Sequence, residues 1–448
     1  MKFTFKGGIH PLSRIHEGKN MTSSAPVTEM PPPEILSIPM SQHVGAPAKP
    51  VVKEGQKVKM GQVIGEAQGF VSVPVHASVS GTVKEIKTIP NINGKPVEAV
   101  IIENDFKDKQ SFLKPCNYEA MTKEEIIARI KDAGNVGMGG ATFPTHVKVS
   151  PPEDKAVDLL LVNGAECEPF LTADHRMMLE HPHNIIHGVK ILMKALDVRK
   201  AVIGIEDNKP DAIDKLAHII DTHAIRVVPV VTKYPQGSEK QLIDAVTGRV
   251  VPSGGLPMDT GVIVVNVSSA AAIAEAFMKG EPLLRRVVTV AGAVGKPQNL
   301  LVRIGTSIQD VIDYAGGFDG EPLKIVSGGP MMGLPVPTTE CVITKGSSGI
   351  LVLDKTFTKK EKEGNCIRCG KCVDVCPIHL YPANISEAAA GEAFDQTEAL
   401  HALDCMSCGS CSYICPAKKP IAQNIKFAKE MIMINRIKEK QKREQENC

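Results

Sequence analysis

The chain is 448 residues long and 43% hydrophobic, with 52 Lys+Arg against 50 Asp+Glu and a net charge of +2. That length is too great for one core and calls for three or four domains. So small a charge, with no tryptophan and 4% aromatic residues, excludes a nucleic-acid partner held by phosphate neutralisation or by base stacking.

No stretch supplies the roughly 18 uninterrupted apolar residues of a membrane span, and Met1-Lys-Phe-Thr-Phe-Lys carries charge where a signal peptide needs an apolar run. Cys116, Cys167, Cys341 and Cys448 show no pairing pattern. We therefore expect a chain that is neither exported nor membrane-spanning and that works in a reducing compartment.

Residues 1–115 alternate short β-type runs with Gly and Pro and lack helical periodicity. The stretches 45–65 and 75–83, with glycines at 55, 61, 65 and 81 for the turns, look like the two halves of a barrel-sandwich (lipoyl-like) domain. Lipoyl domains carry a lysine at the exposed hairpin between the halves. Phe70 stands there instead, so a structural or docking module is expected.

From Thr122 the pattern turns helical: Thr122-Lys-Glu-Glu125 is a capping box, Ile126, Ile127 and Ile130 form an apolar face, and Gly134 fits the end. The next run, Gly134-Asn-Val-Gly137-Met-Gly139-Gly140-Ala-Thr-Phe143-Pro144-Thr-His-Val-Lys148, places four glycines in seven residues before a cation. Such backbone can approach a phosphate and turn amides toward it, and it also suits an ordinary surface loop. It is not a dinucleotide fingerprint, since a helix rather than a strand precedes it.

Strands at Val157–Val162, Ala201–Ile205 and Ile225–Val231 alternate with helices near Pro182–Leu196 and Pro210–Asp221, which predicts a parallel α/β sheet. The first strand runs into Asn163-Gly-Ala-Glu166-Cys-Glu168-Pro169, where carboxylates at a strand end suit ribose hydroxyls or simple solvation. His183 and His187 share a helix face at i,i+4 but lack a third ligand, and with His181 they read as surface histidines. A further helix opens at Gly237-Ser-Glu239, and a strand Gly261–Val267 precedes a helix capped by Ser268 or Ser269.

Residues 285–353 return to short strands around a helix Thr306–Tyr314 closed by Gly316-Gly317, suggesting a β-grasp-like unit. Its Gly328-Gly-Pro-Met-Met-Gly333 suits a ligand loop or, more commonly, a tight turn. Lys355 to Asn365 reads as a linker.

Then C-x2-C-x2-C-x3-C-P occurs twice, as Cys366, Cys369, Cys372, Cys376-Pro377 and as Cys405, Cys408, Cys411, Cys415-Pro416. This is the run that holds two [4Fe-4S] clusters, three thiolates from one motif and the fourth from the other. The expected ligand sets are Cys366, Cys369, Cys372 with Cys415, and Cys405, Cys408, Cys411 with Cys376. Zinc ribbons would leave the third cysteine and the x3-C-P unused. Ile385–Leu403 reads as an Ala-rich helix, and Ala422–Glu446 as one charged helix that caps the domain or meets anionic lipid.

Gly137-x-Gly139-Gly140-Ala-x-Phe143-Pro144-Thr, Lys148, Asn163-x-x-Glu166-x-Glu168-Pro169, Gly237-x-Glu239 and Asn266 resemble the FMN- and NADH-binding core of the complex I flavoprotein subunit. The whole order, with the opening Phe3-Thr-Phe-Lys-Gly-Gly8-Ile-His-Pro11, is similar to the C-subunit family of the Rnf electron-transport complex. The resemblance implies a multidomain α/β and α+β chain. Its parts are a barrel-sandwich hybrid domain at 1–115, a Rossmann-like FMN/NADH core at 116–284, an SLBB-like β-grasp domain at 285–355, and a two-[4Fe-4S] ferredoxin-like helical domain at 356–448.

It further implies that Gly137, Gly139, Gly140 and Lys148 hold the FMN phosphate and flavin edge. Asn163, Glu166, Gly237, Glu239 and Asn266 would line the flavin, with Phe143 and Glu168 toward NADH. Complex I has an arginine where Met138 stands, an aspartate at Ala165 and a glutamate at Ser238. NADH gives two electrons together while each cubane takes one, so a flavin must stand between them.

The implied function is electron entry to, or NAD+ reduction by, an ion-translocating ferredoxin:NAD+ oxidoreductase. Its partners would be the membrane subunits and the ferredoxin-reacting iron–sulfur subunit, and ferredoxin only indirectly. The chain would sit peripherally on the cytoplasmic side of the cell membrane. The rivals are a microcompartment cobalamin reductase and a non-enzymatic iron–sulfur wire.

Overall fold

The structure is a computed structural model that describes residues 3–10, 18–358 and 361–446. Pro11 of the opening motif, Lys359 and Lys360 of the linker, and Cys448 lie outside the described residues. Strand β1 (Thr28–Glu29) leaves the N-terminal part to pair in parallel with β14 (Gln298–Arg303).

The barrel-sandwich follows as two sheets. The first holds β2 (Ile35–Pro39), β4 (Lys57–Val58), β7 (Gly81–Ile89) and β8 (Val97–Asn104), ordered β2-β8-β7-β4; the second holds β3 (Lys49–Pro50), β5 (Val63–Glu66) and β6 (Val75–His76). Leu36, Ile38, Ile64, Val75, Val83, Val100 and Ile102 fill the space between them. Phe70 is exposed at the hairpin, as its place in the sequence suggested.

The central unit is a parallel sheet of β9 (Leu159–Gly164), β10 (Ala201–Glu206), β11 (Ile225–Val230) and β12 (Val262–Asn266), ordered β11-β10-β9-β12. Around it lie α1 (Lys123–Asp132), α2 (Thr145–Lys148), α3 (Ala173–Glu180), α4 (Pro182–Leu196), α5 (Pro210–Ile219), α6 (Glu239–Thr247) and α7 (Val267–Met278). Helices cover both faces, which is why these strands read as unbroken apolar runs. Because β10 lies on one side of β9 and β12 on the other, the strand order reverses there and opens a crevice at the strand ends.

Helix α3 has no counterpart in the sequence reading, and one expectation, the cap of α7, needs correction. At its N-cap, α3 lacks a side-chain capping bond from Thr172. Its free N–H groups are taken by Glu166, which accepts from Asp174 N at 2.7 Å and His175 N at 3.1 Å. At α7 the cap is Asn266 rather than Ser268 or Ser269, and its Oδ1 accepts from both of their N–H groups.

The β-grasp unit is a six-stranded sheet, β1-β14-β13-β17-β15-β16, with β13 (Arg285–Gly292), β15 (Lys324–Ser327), β16 (Leu334–Pro335) and β17 (Gly349–Leu353). Its helix α8 (Ile308–Tyr314) is capped by Ser307 on Asp310 N. The C-terminal part comprises α9 (Lys371–Asp374), α10 (Pro382–Ala390), α11 (Phe394–Ala399), α12 (Ser410–Ile414) and α13 (Ile421–Glu446). The single helix expected over Ile385–Leu403 is broken at Gly391 and Glu392, the latter at φ 54°. Helix α13 buries Ile421, Ile425, Ala428 and Ile432, one stripe at helical spacing.

Candidate functional site: a glycine hairpin at the sheet switch point and two thiol sets

Asn163 and Asn266 are register partners at the ends of β9 and β12, the position of the strand-order reversal. Residues 136–144 form a hairpin over it: Val136 bridges Pro144, and Gly137 N donates to Phe143 O at 2.9 Å. Gly139 sits on Asn266, so close that a Cβ would stand 2.8 Å from Asn266 Nδ2. Gly140 has open space above it. The amides of Gly139, Gly140 and Ala141 have no backbone acceptor among the described residues.

Lys148 ends α2 and sends its Nζ to Glu239 Oε1 at 2.5 Å and Val264 O at 3.0 Å. Asn163 Nδ2 donates to Gly237 O at 2.7 Å, which ties the α6 entry to the end of β9. Asn266 Nδ2 donates to Asp174 Oδ2 and Ser268 Oγ to Asp174 Oδ1, which joins Asn266 to the first turn of α3. Met138, where complex I has arginine, receives a guanidinium from elsewhere. Arg286 of β13 reaches its Sδ at 2.9 Å and its carbonyl at 3.3 Å.

The two glutamates after β9 are less free than the sequence implied. Glu166 caps α3, and burial raises its carboxyl to about 7. Glu168 accepts from Met331 N at 3.0 Å and Met332 N at 2.9 Å, so the Gly328–Gly333 loop serves as a carboxylate nest; burial raises Glu168 to about 7 as well. Two ammoniums that sequence reasoning missed fix the loop's carbonyls. Lys19 Nζ donates to Glu166 O, Glu168 O and Leu171 O at 2.8, 3.0 and 2.5 Å, and Lys209 Nζ donates to Ala165 O at 2.7 Å. No local pattern marks them, since Lys19 lies about 150 residues from its acceptors.

The eight motif cysteines separate into two groups, and the grouping crosses between the motifs. Cys376, Cys405, Cys408 and Cys411 line one cavity with Leu380, Met406 and Ile425. Cys372 feels the charge of Cys415 and Cys369, and Lys419 that of both Cys366 and Cys415. Burial pushes the Cys411 thiol up to about 12 and raises Cys372, Cys405 and Cys408.

Both motifs wrap alike, with Arg368 at φ 54° and Ser407 at 58°, then Gly370 at 77° and Gly409 at 79°. Amides point at sulfur from Leu380 to Cys376 and from Ser407 to Cys405. Four thiols in an apolar wall with amide donors fit an iron–sulfur cubane. Among the described residues no three metal-binding side chains close on a single point, which a cubane, with one thiolate per iron, does not require. The open glycine amides above Asn266 likewise fit a phosphate-bearing flavin.

Comparison with known proteins follows the same division. Residues 3–107 match the RnfC barrel sandwich hybrid domain, 130–275 the Nuo51 FMN-binding domain, 287–335 the SLBB domain, and 365–419 the 4Fe-4S dicluster domain. The C subunit of the Na(+)-translocating ferredoxin:NAD(+) oxidoreductase complex of Acetobacterium woodii is 50% identical over 97% of this chain and 98% of its own. The chain belongs to this C-subunit family.

The C subunit of the proton-translocating complex of Clostridium ljungdahlii is 47% identical over 95% of this chain and 93% of its own. A crystal structure of an NAD+-reducing [NiFe]-hydrogenase overlays 62% of this chain and 54% of that one at 19% identity and a TM-score of 0.46, too loosely to support an argument. Membership of the C-subunit family sets the cobalamin reductase reading aside. Among the described residues no helix is long and apolar enough to cross a membrane.

Proposed function

We propose that this chain is the electron-entry subunit of a membrane-bound, ion-translocating ferredoxin:NAD+ oxidoreductase, exchanging electrons between NAD(H) and partner subunits through FMN and two [4Fe-4S] clusters. The observation that carries the reading is the contact between the flavoprotein core and one thiol set, where Tyr234 Oη donates to Cys408 O at 2.7 Å. FMN held there would supply the conversion between a hydride's two electrons and the single electrons a cluster accepts. One NADH then yields NAD+, one electron for each of two clusters, and a proton.

The chain's own residues position and insulate. In this reading the amides of Gly139 and Gly140, with Gly137 shaping the turn, and Lys148 hold the phosphate and the flavin edge. Asn163, Gly237, Glu239 and Asn266 form the wall, and Phe143 lies toward NAD(H). Glu166 and Glu168, their carboxylates engaged by backbone amides, act by fixing the loop that ends β9. No general acid or base is required beyond orientation of the two rings and exclusion of water.

The thiol set Cys376, Cys405, Cys408 and Cys411 faces the core. In the other set Cys366 and Cys369 are exposed, which suits electron exchange with a partner. Residence on the cytoplasmic face follows from the need to meet NAD(H). The spans of the matched domains support boundaries near residues 115, 284 and 355.

The test is an anaerobic NADH titration of the cluster- and FMN-loaded protein. About eight irons and one flavin per chain, with bleaching first of flavin and then of the clusters, is the expected result. Eight irons with no flavin retained and no bleaching would reduce the chain to a wire.

A further inference from the structure

Residues 3–9 do not belong to the barrel-sandwich. They run along the edge of the central sheet, Phe3 bridging Val230 and Val231 N donating to Phe3 O at 3.0 Å. Lys233 anchors the next turn, its Nζ 2.6 Å from Phe5 O and 4.1 Å from the centre of the Phe5 ring. Ile9 and Tyr234 exchange backbone hydrogen bonds of 2.7 and 2.8 Å, while Gly8 N donates to Val375 O at 2.8 Å. The segment thus lies between the flavoprotein core and the first cluster motif and is bonded to both.

Its two glycines are there for want of space. Gly7 and Gly8 have φ of 79° and 75°, a region costly for any residue with a Cβ. A Cβ on Gly7 would stand 2.7 Å from Cys376 O, and one on Gly8 2.6 Å from Tyr234 O. Tyr234 is buried and reaches Cys408 O, so the strap and this side chain touch both halves of the same thiol set. Among the described residues the other bonds across this boundary are few, chiefly Gln241 Nε2 to Pro377 O and those of Ser253 Oγ and Gly254 N to Asp404.

We propose that residues 3–9 are a positioning strap that sets the distance between the flavin site and the cluster held by Cys376, Cys405, Cys408 and Cys411. This rests on the electron-entry reading above. Electrons cross from the flavin to that cluster one at a time, and the strap makes and breaks no bond. It keeps the gap short by letting backbone rather than side chains fill it. Transfer between fixed redox centres falls steeply with separation, so a methyl group inserted at Gly7 acts on this step while the flavin site stays intact.

The experiment compares wild type, Gly7→Ala and Lys233→Met, each loaded with iron and FMN, in anaerobic stopped flow with NADH. The flavin bands are followed separately from the broad cluster absorbance. Gly7→Ala is expected to keep the wild-type rate of flavin reduction while cluster reduction slows severalfold. Lys233→Met, which keeps the strap's backbone but removes its anchor, is expected to show the same split more weakly, and it decides the matter if Gly7→Ala does not fold.

A second readout needs no turnover: amide exchange across residues 366–416 should quicken in both variants. Unchanged cluster reduction and unchanged exchange would overturn the strap. Failure of wild-type flavin to bleach would instead overturn the electron-entry reading, and the exchange result would still judge the strap.

Discussion

The phenol of Tyr234 donates a 2.7 Å hydrogen bond to the backbone carbonyl of Cys408, joining the end of the flavoprotein sheet to the second cluster motif within a buried contact. Beside it, Ile9, Met331 and Met406 form a small apolar cluster drawn from the strap, the β-grasp loop and the cluster domain. Tyr234→Phe keeps the ring and removes the donor. Unfolding followed by circular dichroism should show a loss of about 1–2 kcal/mol, the usual cost of leaving a buried acceptor unpaired.

The crossed thiol sets give opposite phenotypes for the two motif-ending cysteines. Cys376→Ala should lose the cluster nearest the flavin site, leaving about four irons that NADH reduces only slowly. Cys415→Ala should also leave about four irons, but in the cluster that faces the core, and NADH should still reduce it quickly. Iron analysis with low-temperature electron paramagnetic resonance after an NADH pulse separates the two outcomes. Uncrossed sets would give the reverse.

Adjacent glycines should differ in what they tolerate. A Cβ on Gly139 meets Asn266 at 2.8 Å, whereas one on Gly140 meets nothing within 4 Å. Gly139→Ala should lower both the apoprotein's melting temperature and its FMN affinity. Gly140→Ala should leave the melting temperature unchanged and weaken FMN alone, as read by quenching of flavin fluorescence. Equal FMN binding by Gly140→Ala and wild type would move the phosphate elsewhere.

Lys148 and Glu239 form a partly exposed ion pair, with side-chain exposures of 22% and 42%. Such a pair contributes about 0–1 kcal/mol. Lys148→Met should therefore change stability little while costing FMN affinity at least about tenfold, the loss of a charge-assisted contact of about 1.5–3 kcal/mol. Titration of apoprotein with FMN at two salt concentrations measures it.

Lys345 is buried where barrel, glycine hairpin and β-grasp meet, its Nζ donating to Pro74 O at 3.0 Å and Gly134 O at 2.8 Å. Burial lowers it from 10.5 to about 7. Between those values the unfolded chain binds a proton that the folded one does not. Lys345 therefore makes stability rise with pH from about 7 toward 10.5 and lowers it once the folded group is charged. Melting temperatures of wild type and Lys345→Met across that range should diverge with this sign; parallel curves would show that Lys345 does not titrate there.

Much of the site was legible because its signals are local. The cysteine spacing states a wrapping of backbone around a cluster within 11 residues, and the φ values of Arg368 and Ser407 repeat it motif by motif. The capping box at Thr122 and the stripe on α13 needed only neighbours three and four positions away. Helix α3 was hidden because its cap, Glu166, precedes the helix by seven residues and reaches it only through a turn at φ 49°. That amides 163 residues away take the Glu168 carboxylate was equally illegible, because nothing near it in sequence shows them.

The sequence by itself determined the order of the domains, the two cysteine motifs that call for iron–sulfur clusters and the place of the glycine hairpin. Each of these rests on residue types at short, fixed spacings that few other chemistries use. Only the tertiary structure decided which thiol set faces the flavoprotein core, that Lys19 and Lys209 fix the loop after β9, and that Gly7 and Gly8 lie between Tyr234 and Cys376. Those are contacts between segments distant in the chain, where carbonyls, ammoniums and buried carboxylates must find partners wherever packing brings them, and no local pattern records the choice.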